Sequence, residues 1–291
     1  YMDTEGKIHD PLGHGVDDAK AGRIVFVGDP LTRIREDYLR ILRYFRFLAW
    51  SGRGDPDPAA VSACKALKGM LSGRSAERTS KELFKLLAAD DPRPAVALMQ
   101  GAGVLAAILP TAGLERFNAL VGIERNTLFE NDPELRLAAL LPDDPAEVAR
   151  AIERLRLSNA QRDRLLAAAA PQPRIVPWLS PREVRRAVYR VGLRAFLDKV
   201  KLAWAQAVKP KLAGQWRKLL ALGESWTAPD FPLTGEDAIA AGLAQGPLMG
   251  RALKEVEDWW VDEDFPLDRD LALAQLGRVV LASFEAAGSR P

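Results

Sequence analysis

The sequence predicts a mostly α-helical protein made of several helical units, and three observations support that prediction. Apolar residues recur at three- and four-residue spacing, as in Leu39, Leu42 and Phe45, which is typical of helices with one buried face. Clusters of Pro, Gly and Asp interrupt this pattern at intervals, for example at 142–145. The chain has 291 residues, 48% hydrophobic and 27% charged, which is enough for two or three compact units.

Residues 1–28 differ from the rest of the chain because they show no helical periodicity. Glycines separate short apolar stretches, of which the clearest is Ile24–Val27. This pattern predicts a hairpin and a short strand. A strand pair of this size is not stable alone, so we expect it to be the edge of a sheet whose other strands lie outside this sequence. The adjacent Asp17 and Asp18 are predicted to form a turn or a helix cap.

The composition argues against several classes of protein. There is no run of about 18 uncharged apolar residues, so no membrane span or membrane partner is predicted. The single cysteine, Cys64, cannot form an internal disulfide; its apolar helical surroundings predict a small buried hydrophobe and fit a cytoplasmic location. With only two histidines, His9 and His14, we expect neither a His-rich metal site nor a Ser-His-Asp triad.

The charge is unevenly distributed although the net charge is only +2. Residues 171–220 carry twelve Arg or Lys against two acidic residues, a local net charge of +10. Residues 221–291 carry five basic and thirteen acidic residues, a local net charge of −8. This asymmetry predicts a polyanion-binding region followed by an acidic end. The alternative is an ordinary solvated helix face.

One charged stretch near the N terminus is the most informative part of the chain. Gly28-Asp29-Pro30 predicts a turn, and a helix is predicted to follow it through residue 47. Five charged residues share one face of that helix by three- and four-residue spacing: Arg33, Glu36, Asp37, Arg40 and Arg43. One interpretation is a set of exposed ion pairs that contribute little to stability.

The other interpretation of this face is recognition of a nucleic-acid base. A carboxylate only accepts hydrogen bonds, and a guanidinium only donates them. Cytosine and adenine each present an amino donor beside a ring-nitrogen acceptor, whereas uracil and guanine present the reverse order. Asp37 and Arg40 held against the edge of a base would therefore accept C and A and reject U and G.

The same stretch resembles the signature of class II CCA-adding enzymes and bacterial poly(A) polymerases. The resemblance rests on Gly28-Asp29-Pro30, Arg33, Glu36-Asp37, Arg40, Arg43 and Arg46-Phe47. It implies that Asp37 and Arg40 contact the base of the incoming nucleotide, with Glu36 and Arg43 in support.

Three further stretches are similar to parts of that family, in the expected order. Residues 75–87 resemble a helix that braces the recognition helix. Asp10-Pro11-Leu12-Gly13 resembles the turn that closes the catalytic head, with His14 interrupting the paired glycines. Residues 231–250, which include Gly246-Pro247, resemble the family's C-terminal region, and the Gly-Pro turn is predicted to open a helix.

The resemblance implies an elongated helical neck, body and tail with a small β remnant of a nucleotidyltransferase head. The implied divisions are 1–29 for the head remnant, 30–100 for the nucleotide-recognising neck, 101–170 for the body and 171–291 for the tRNA-binding tail. The implied activity of the complete enzyme is template-independent nucleotidyl transfer to the 3′ end of tRNA, with ATP and CTP as substrates and magnesium as cofactor.

The basic region is then expected to contact the phosphates of tRNA, with a salt-sensitive affinity. The candidate RNA-binding residues are Arg182, Arg185, Arg186, Arg190, Lys199, Lys209, Lys211 and Lys218. The tryptophans Trp204 and Trp216 are predicted to be core residues rather than base-stacking ones, because apolar neighbours recur around them at helical spacing.

Members of this family bind magnesium through an Asp-x-Asp pair in an N-terminal sheet. Residues 1–28 contain no such pair, because Asp17 and Asp18 are adjacent and would point to opposite faces of a strand. We therefore expect this chain alone to be catalytically inactive and to supply base selection and RNA binding. Two alternatives stay open at this point, namely a poly(A) polymerase and a stand-alone RNA-binding protein without catalysis.

Overall fold

A computed structural model describes residues 3–6, 8–11, 13–71, 75–127, 129–207 and 209–288. Over these residues the chain forms seventeen α-helices and no strand, which confirms the mostly α-helical class. The helices are α1 Gly15–Ala21, α2 Pro30–Glu36, α3 Arg40–Ser51, α4 Pro58–Leu67, α5 Ala76–Leu87, α6 Arg93–Gly101, α7 Val104–Ile108, α8 Glu115–Thr127, α9 Pro133–Leu140, α10 Pro145–Leu155, α11 Asn159–Ala169, α12 Pro181–Val191, α13 Leu193–Gln206, α14 Ala213–Glu224, α15 Gly235–Ala240, α16 Pro247–Asp262 and α17 Arg269–Gly288.

The hairpin and strand predicted for residues 1–28 are wrong over the described part of that segment. Helix α1 occupies its middle, with Asp17 and Asp18 in the first turn. It ends at Gly22, whose φ of +69° is left-handed and where a Cβ would lie 2.8 Å from the Ser51 carbonyl oxygen. The stretch Ile24–Val27 has no regular structure, since a short strand needs neighbours to pair with. Leu12, from the predicted head-closing turn, lies outside the described residues.

The chain divides into two compact units. The first contains Tyr1–Ile175 and Asp198–Ala213, and the second contains Val176–Leu197 and Gly214–Pro291. Helix α13 therefore contributes its first residues to the second unit and the remainder to the first. The implied starts of neck and body, at residues 30 and 101, both lie within the first unit.

The core of the first unit forms where the apolar faces of α3, α5 and α6 meet. Phe45, Leu83 and Val96 are each at most 1% exposed there. Cys64 on α4 is fully buried, as predicted, and burial raises the pKa of its thiol to about 12. Trp204 is likewise buried in this unit, which confirms its predicted core position.

A buried ion pair ties the helices of the first unit together. Arg136 on α9 is 0% exposed, and its Nε donates to Glu124 Oε2 on α8 at 2.7 Å. Its Nη1 donates at 2.6 Å to the carbonyl oxygens of both Leu87 and Ala89 at the end of α5. A buried charge persists only when it is paired and hydrogen-bonded in this way, so Arg136 fixes where α5 ends against α8 and α9.

The second unit packs α15, α16 and α17 around an apolar core that includes Val256 and Leu276, each fully buried. Trp216 on α14 is also buried, as predicted. Thr234 and Asp237 form a capping box at the start of α15. Gly246 is the N-cap of α16, which confirms that the Gly-Pro turn opens a helix.

Candidate functional site

The charged stretch after Gly28 folds into two helices rather than the single helix that the spacing predicts. Asp29 caps α2 by accepting a hydrogen bond from the Thr32 amide at 2.7 Å. Helix α2 ends at Glu36, and Asp37 is extended, with φ −152° and ψ 107°. The Asp37 carboxylate accepts the Leu39 amide at 3.1 Å, a local bond that competes with the helix ladder. The predicted common helix face is therefore wrong.

Glu36 holds the guanidinium of Arg40 in place at this break. Arg40 Nη1 donates to Glu36 Oε2 at 2.5 Å and to the Arg33 carbonyl oxygen at 2.8 Å. Arg33 Nη1 also donates to Glu36, at 2.6 Å. The hydrogen bond from Arg40, with help from Arg33, lowers the pKa of Glu36, so this carboxylate is ionised and anchors both cations.

Asp37 is held by a residue that the sequence pattern does not place among the site residues. Arg78 Nη2 on α5 donates to Asp37 Oδ2 at 2.9 Å. Partial burial favours the neutral acid, but the hydrogen bonds from Leu39 and Arg78 and the charge of nearby Arg40 prevail and lower the pKa of Asp37. A signal for Arg78 is present in the sequence, because it lies in the segment 75–87 that is predicted to brace the recognition helix.

Glu36, Asp37 and Arg78 border an open cleft of about 670 Å³. Its lining is Arg35, Glu36, Asp37, Tyr38, Leu39, Ser75 and Arg78. A volume of several hundred cubic ångströms is in the range of small-molecule sites. The lining combines the ionised Asp37, which accepts hydrogen bonds, with the guanidinium groups of Arg35 and Arg78, which donate them, and both kinds of group are needed to bind the edge of a base. Arg40 is not part of this lining, but Glu36, which is, holds its guanidinium.

Arg43 lies apart from this cleft. It occupies the exposed face of α3 and forms no ion pair with the residues that the structure describes. Within the cleft it is Arg78 that holds Asp37, and the supporting role that the resemblance implies for Arg43 stays a prediction.

Helix α5 braces α3 along its length, as the sequence resemblance implied. An ion pair joins Arg46 to Glu82 across the two helices at 2.9 Å. Further along, Trp50 Nε1 donates to the Lys85 carbonyl oxygen at 2.7 Å. With the Arg78–Asp37 contact, these bridges mark a seam between α3 and α5 that begins at the cleft.

In the second unit, acidic residues from 258–264 neutralise most of the basic face of α12. The ion pairs join Arg185 to Asp264, Arg186 to Asp262 and Arg190 to Asp258. The basic and acidic regions that the sequence separates are thus brought together by folding. The fourth candidate arginine on α12, Arg182, is exposed and forms no ion pair with any described residue.

The candidate lysines also divide into accessible and inaccessible ones. Lys199 is 6% exposed and donates to the Ala170 carbonyl oxygen, so its assignment to an RNA-binding surface is corrected. Burial lowers the pKa of its ammonium group. Lys209 and Lys211 are exposed in the first unit, and Lys218 is exposed in the second.

No metal centre is apparent in the described part of the chain. Within it, no group of three or more His, Cys, Asp or Glu side chains is placed to hold a metal ion. We assign no magnesium ligand among the described residues. The helices that the structure describes include none that is long and apolar enough to cross a membrane.

Comparison with known proteins connects this geometry to one family. Residues 55–113 match the family described as the probable RNA- and SrmB-binding site of polymerase A. The CCA-adding enzyme of Streptococcus pneumoniae strain CGSP14 is 30% identical over 283 residues, covering 94% of this chain and 68% of the relative. The mouse mitochondrial CCA tRNA nucleotidyltransferase 1 is 27% identical over 95% of this chain, which spans 63% of that relative's length.

Solved structures show the same fold. The Bacillus stearothermophilus CCA-adding enzyme in complex with CTP has a TM-score of 0.72 at 24% identity, over 98% of this chain and 72% of that one. The Thermotoga maritima CCA-adding enzyme complexed with tRNA has a TM-score of 0.60 at 20% identity, over 93% and 66%. The fold, the cleft motif and the 30% identity together place this chain in the CCA-adding enzyme and poly(A) polymerase family.

Proposed function

We propose that this chain selects the incoming nucleotide and binds the RNA substrate in a tRNA nucleotidyltransferase that adds CCA without a nucleic-acid template. The single observation that carries the proposal is the pair of anchored groups at the helix break: Asp37, which lines the cleft, is held by Arg78, and Arg40 is held by Glu36, another cleft residue. The similar enzymes are named for CCA addition, and one was solved with CTP and one with tRNA.

Selection follows from the two anchored groups. Asp37 is ionised and accepts the amino group of cytosine or adenine, while Arg40 donates to the neighbouring ring nitrogen. Glu36 positions Arg40, and Arg78 positions Asp37. A base with the reverse order leaves a donor facing a donor and an acceptor facing an acceptor, and such unpaired polar groups are strongly disfavoured.

The neck, body and tail divisions at 30–100, 101–170 and 171–291 remain our assignment of roles along the chain. The RNA-binding residues proposed are those that are exposed and form no ion pair with a described residue, namely Arg182, Lys209, Lys211 and Lys218. Arg185, Arg186 and Arg190 contribute only where phosphates displace their acidic partners. We propose magnesium as the cofactor of the complete enzyme, bound by its catalytic head as the family resemblance implies. The expectation that this chain alone transfers no nucleotide stays a prediction.

A second candidate, poly(A) addition, is favoured by the match of residues 55–113 to a polymerase A family. Binding measurements with three RNAs test the alternatives: a tRNA acceptor minihelix, the same minihelix without its unpaired 3′ end, and oligo(A). CCA addition predicts a preference for the two minihelices over oligo(A). Equal or tighter binding to oligo(A) would favour the polymerase.

The same RNA-binding measurements, with CTP and ATP titrated in parallel, test the alternative that the chain is a stand-alone RNA-binding protein. RNA binding combined with no CTP or ATP binding at the cleft would contradict the nucleotide-selecting role. Replacing Lys209 and Lys211 by Gln should lower the salt slope by about 0.9 for each duplex phosphate that the protein no longer neutralises. Lys199→Gln, at a buried position, should leave that slope unchanged and serves as the matched control.

A further inference from the structure

Two large aromatic side chains on α3 lie at the surface. Phe47 is 44% exposed and Trp50 is 59% exposed. With Arg43 they recur at four- and three-residue spacing, so all three share one face of the helix. Neighbouring exposed aromatic side chains are more informative than a single exposed apolar residue.

Both rings are fixed beside the seam between α3 and α5. The guanidinium carbon of Arg46 lies 4.5 Å from the centre of the Phe47 ring, and Arg46 pairs with Glu82 across the seam. Trp50 is tied to the Lys85 carbonyl oxygen by its indole nitrogen. Rings that are held in place lose little conformational entropy when a ligand binds them.

The charge beside these rings is positive. Lys81 and Lys85 lie on consecutive turns of α5, are exposed, and form no ion pair with the described residues, as is also true of Arg43. The carboxylates along the seam are already taken, because Glu82 pairs with Arg46 and Asp37 pairs with Arg78. Aromatic rings interleaved with unpaired cations are the usual combination for single-stranded nucleic acid.

The position of these rings relative to the cleft indicates what they bind. Contacts along the seam run in order from Asp37–Arg78 at the cleft, through Arg46–Glu82, to Trp50–Lys85. Between Arg40 and Trp50, α3 advances by ~15 Å at about 1.5 Å per residue. That length accommodates a few unpaired nucleotides leading to or from the nucleotide site.

We propose that Phe47, Trp50, Arg43, Lys81 and Lys85 form an aromatic strip that binds the unpaired 3′-terminal nucleotides of the RNA. Bases stack on Phe47 and Trp50, and the lysines contact phosphates. The proposal rests on the proposed function, because it extends the RNA-binding role to a surface next to the nucleotide cleft. It makes Trp50 the dominant contact, because its ring is the larger and the more exposed.

The test compares Trp50→Leu with Trp50→Phe in fluorescence anisotropy, using a labelled single-stranded RNA hexamer and the acceptor minihelix with its unpaired 3′ end. Both variants lack the hydrogen bond to the Lys85 carbonyl, but only the phenylalanine keeps a ring. Trp50→Leu should weaken binding by about fivefold or more, the lower end of base–aromatic stacking. Trp50→Phe should stay within about twofold of the wild type.

Two controls separate stacking from charge and from general effects. Lys85→Gln should lower the salt slope by about 0.7 on single-stranded RNA, whereas Trp50→Leu should leave that slope unchanged. Trp178→Leu removes another exposed tryptophan, 72% exposed in the second unit, and should not alter binding of the hexamer. Abasic residues at the 3′ end should weaken wild-type binding and have little further effect on Trp50→Leu.

Equally weakened binding in Trp50→Leu and Trp50→Phe would overturn the proposal, because the ring would then not matter. Unchanged binding in both would also overturn it, and would assign the strip to a partner other than RNA. Both of these results leave the proposed function standing as long as the wild-type chain binds the minihelix. A wild-type chain that binds neither RNA would instead contradict the proposed function itself.

Discussion

Replacement of Arg78 by Gln tests how the cleft is held, because this residue was identified from the structure rather than from the sequence pattern. Its side chain is 61% exposed, and its contact is the 2.9 Å hydrogen bond to Asp37. An exposed ion pair contributes only about 0.2–1 kcal/mol to folding, so Arg78→Gln should leave the free energy of unfolding nearly unchanged. The fold and the neighbouring seam should therefore be intact in this variant.

The effect on nucleotide binding should be larger than the effect on folding. Without Arg78, Asp37 keeps its bond to the Leu39 amide but is free to rotate away from the base. A hydrogen bond to a charged group contributes about 1.5–3 kcal/mol, so its complete removal weakens CTP binding by about 10- to 150-fold. Partial loosening should fall toward the lower end, with the preference for CTP over UTP reduced in parallel.

The assay is a titration followed by NMR chemical shifts, which reports weak binding, with CTP and UTP in turn. Arg156→Gln is the matched control, because Arg156 is also exposed and pairs at 3.0 Å with Glu77, the residue next to Arg78 on α5. It should leave both titrations unchanged. If Arg78→Gln leaves CTP affinity and the CTP preference intact, Arg78 does not position Asp37 for the base.

Three further outcomes follow from the structure. Arg136→Met should lower the free energy of unfolding by about 3–5 kcal/mol in urea, because Glu124 is left buried without its partner; a decrease under about 1 kcal/mol would show that the pair is not buried in solution. Cys64 should resist a thiol reagent at pH 8 in the folded protein and react at once in denaturant, since burial raises its pKa to about 12; rapid reaction without denaturant would contradict its burial. The hydrogen bond from Arg185 lowers the pKa of Asp264, so the ionised carboxylate stabilises the folded state at pH values above its ordinary pKa, and this stabilisation is lost as the pH falls through the lowered pKa. The drop in thermal stability on acidification should therefore be smaller in Arg185→Met. An unchanged drop would show that this pair does not contribute.

The parts of this protein that were predictable from sequence depend on local chemistry and periodicity. Gly28-Asp29-Pro30 predicts a turn followed by a helix, and the structure has α2 beginning at Pro30, with Asp29 as its N-cap. Burial of Cys64 and Trp216 follows from apolar neighbours at helical spacing.

The helix break at Asp37 could not be predicted from the same rules. Three- and four-residue spacing of charged residues continues through it, so periodicity alone favours one helix. A side-chain bond to the Leu39 amide and a partner on α5 decide the outcome, and both depend on how distant segments meet.

Local charge could not show which cations are accessible, because folding brings distant segments together. Arg185 is basic in the sequence but meets Asp264, 79 residues further along the chain. Lys199 lies in a basic segment but on a face of α13 that is covered, where it reaches the Ala170 carbonyl. Local net charge therefore identifies a candidate polyanion-binding region but not which of its cations are accessible.

The most direct test of base selection by this cleft is a parallel titration of the chain with CTP, ATP, UTP and GTP, followed at the amides around Asp37 and Arg40. CTP and ATP should shift these resonances at lower concentration than UTP and GTP, and Asp37→Asn should remove the difference. Equal shifts with all four nucleotides, or a preference that survives Asp37→Asn, would contradict selection by hydrogen-bond complementarity at this cleft.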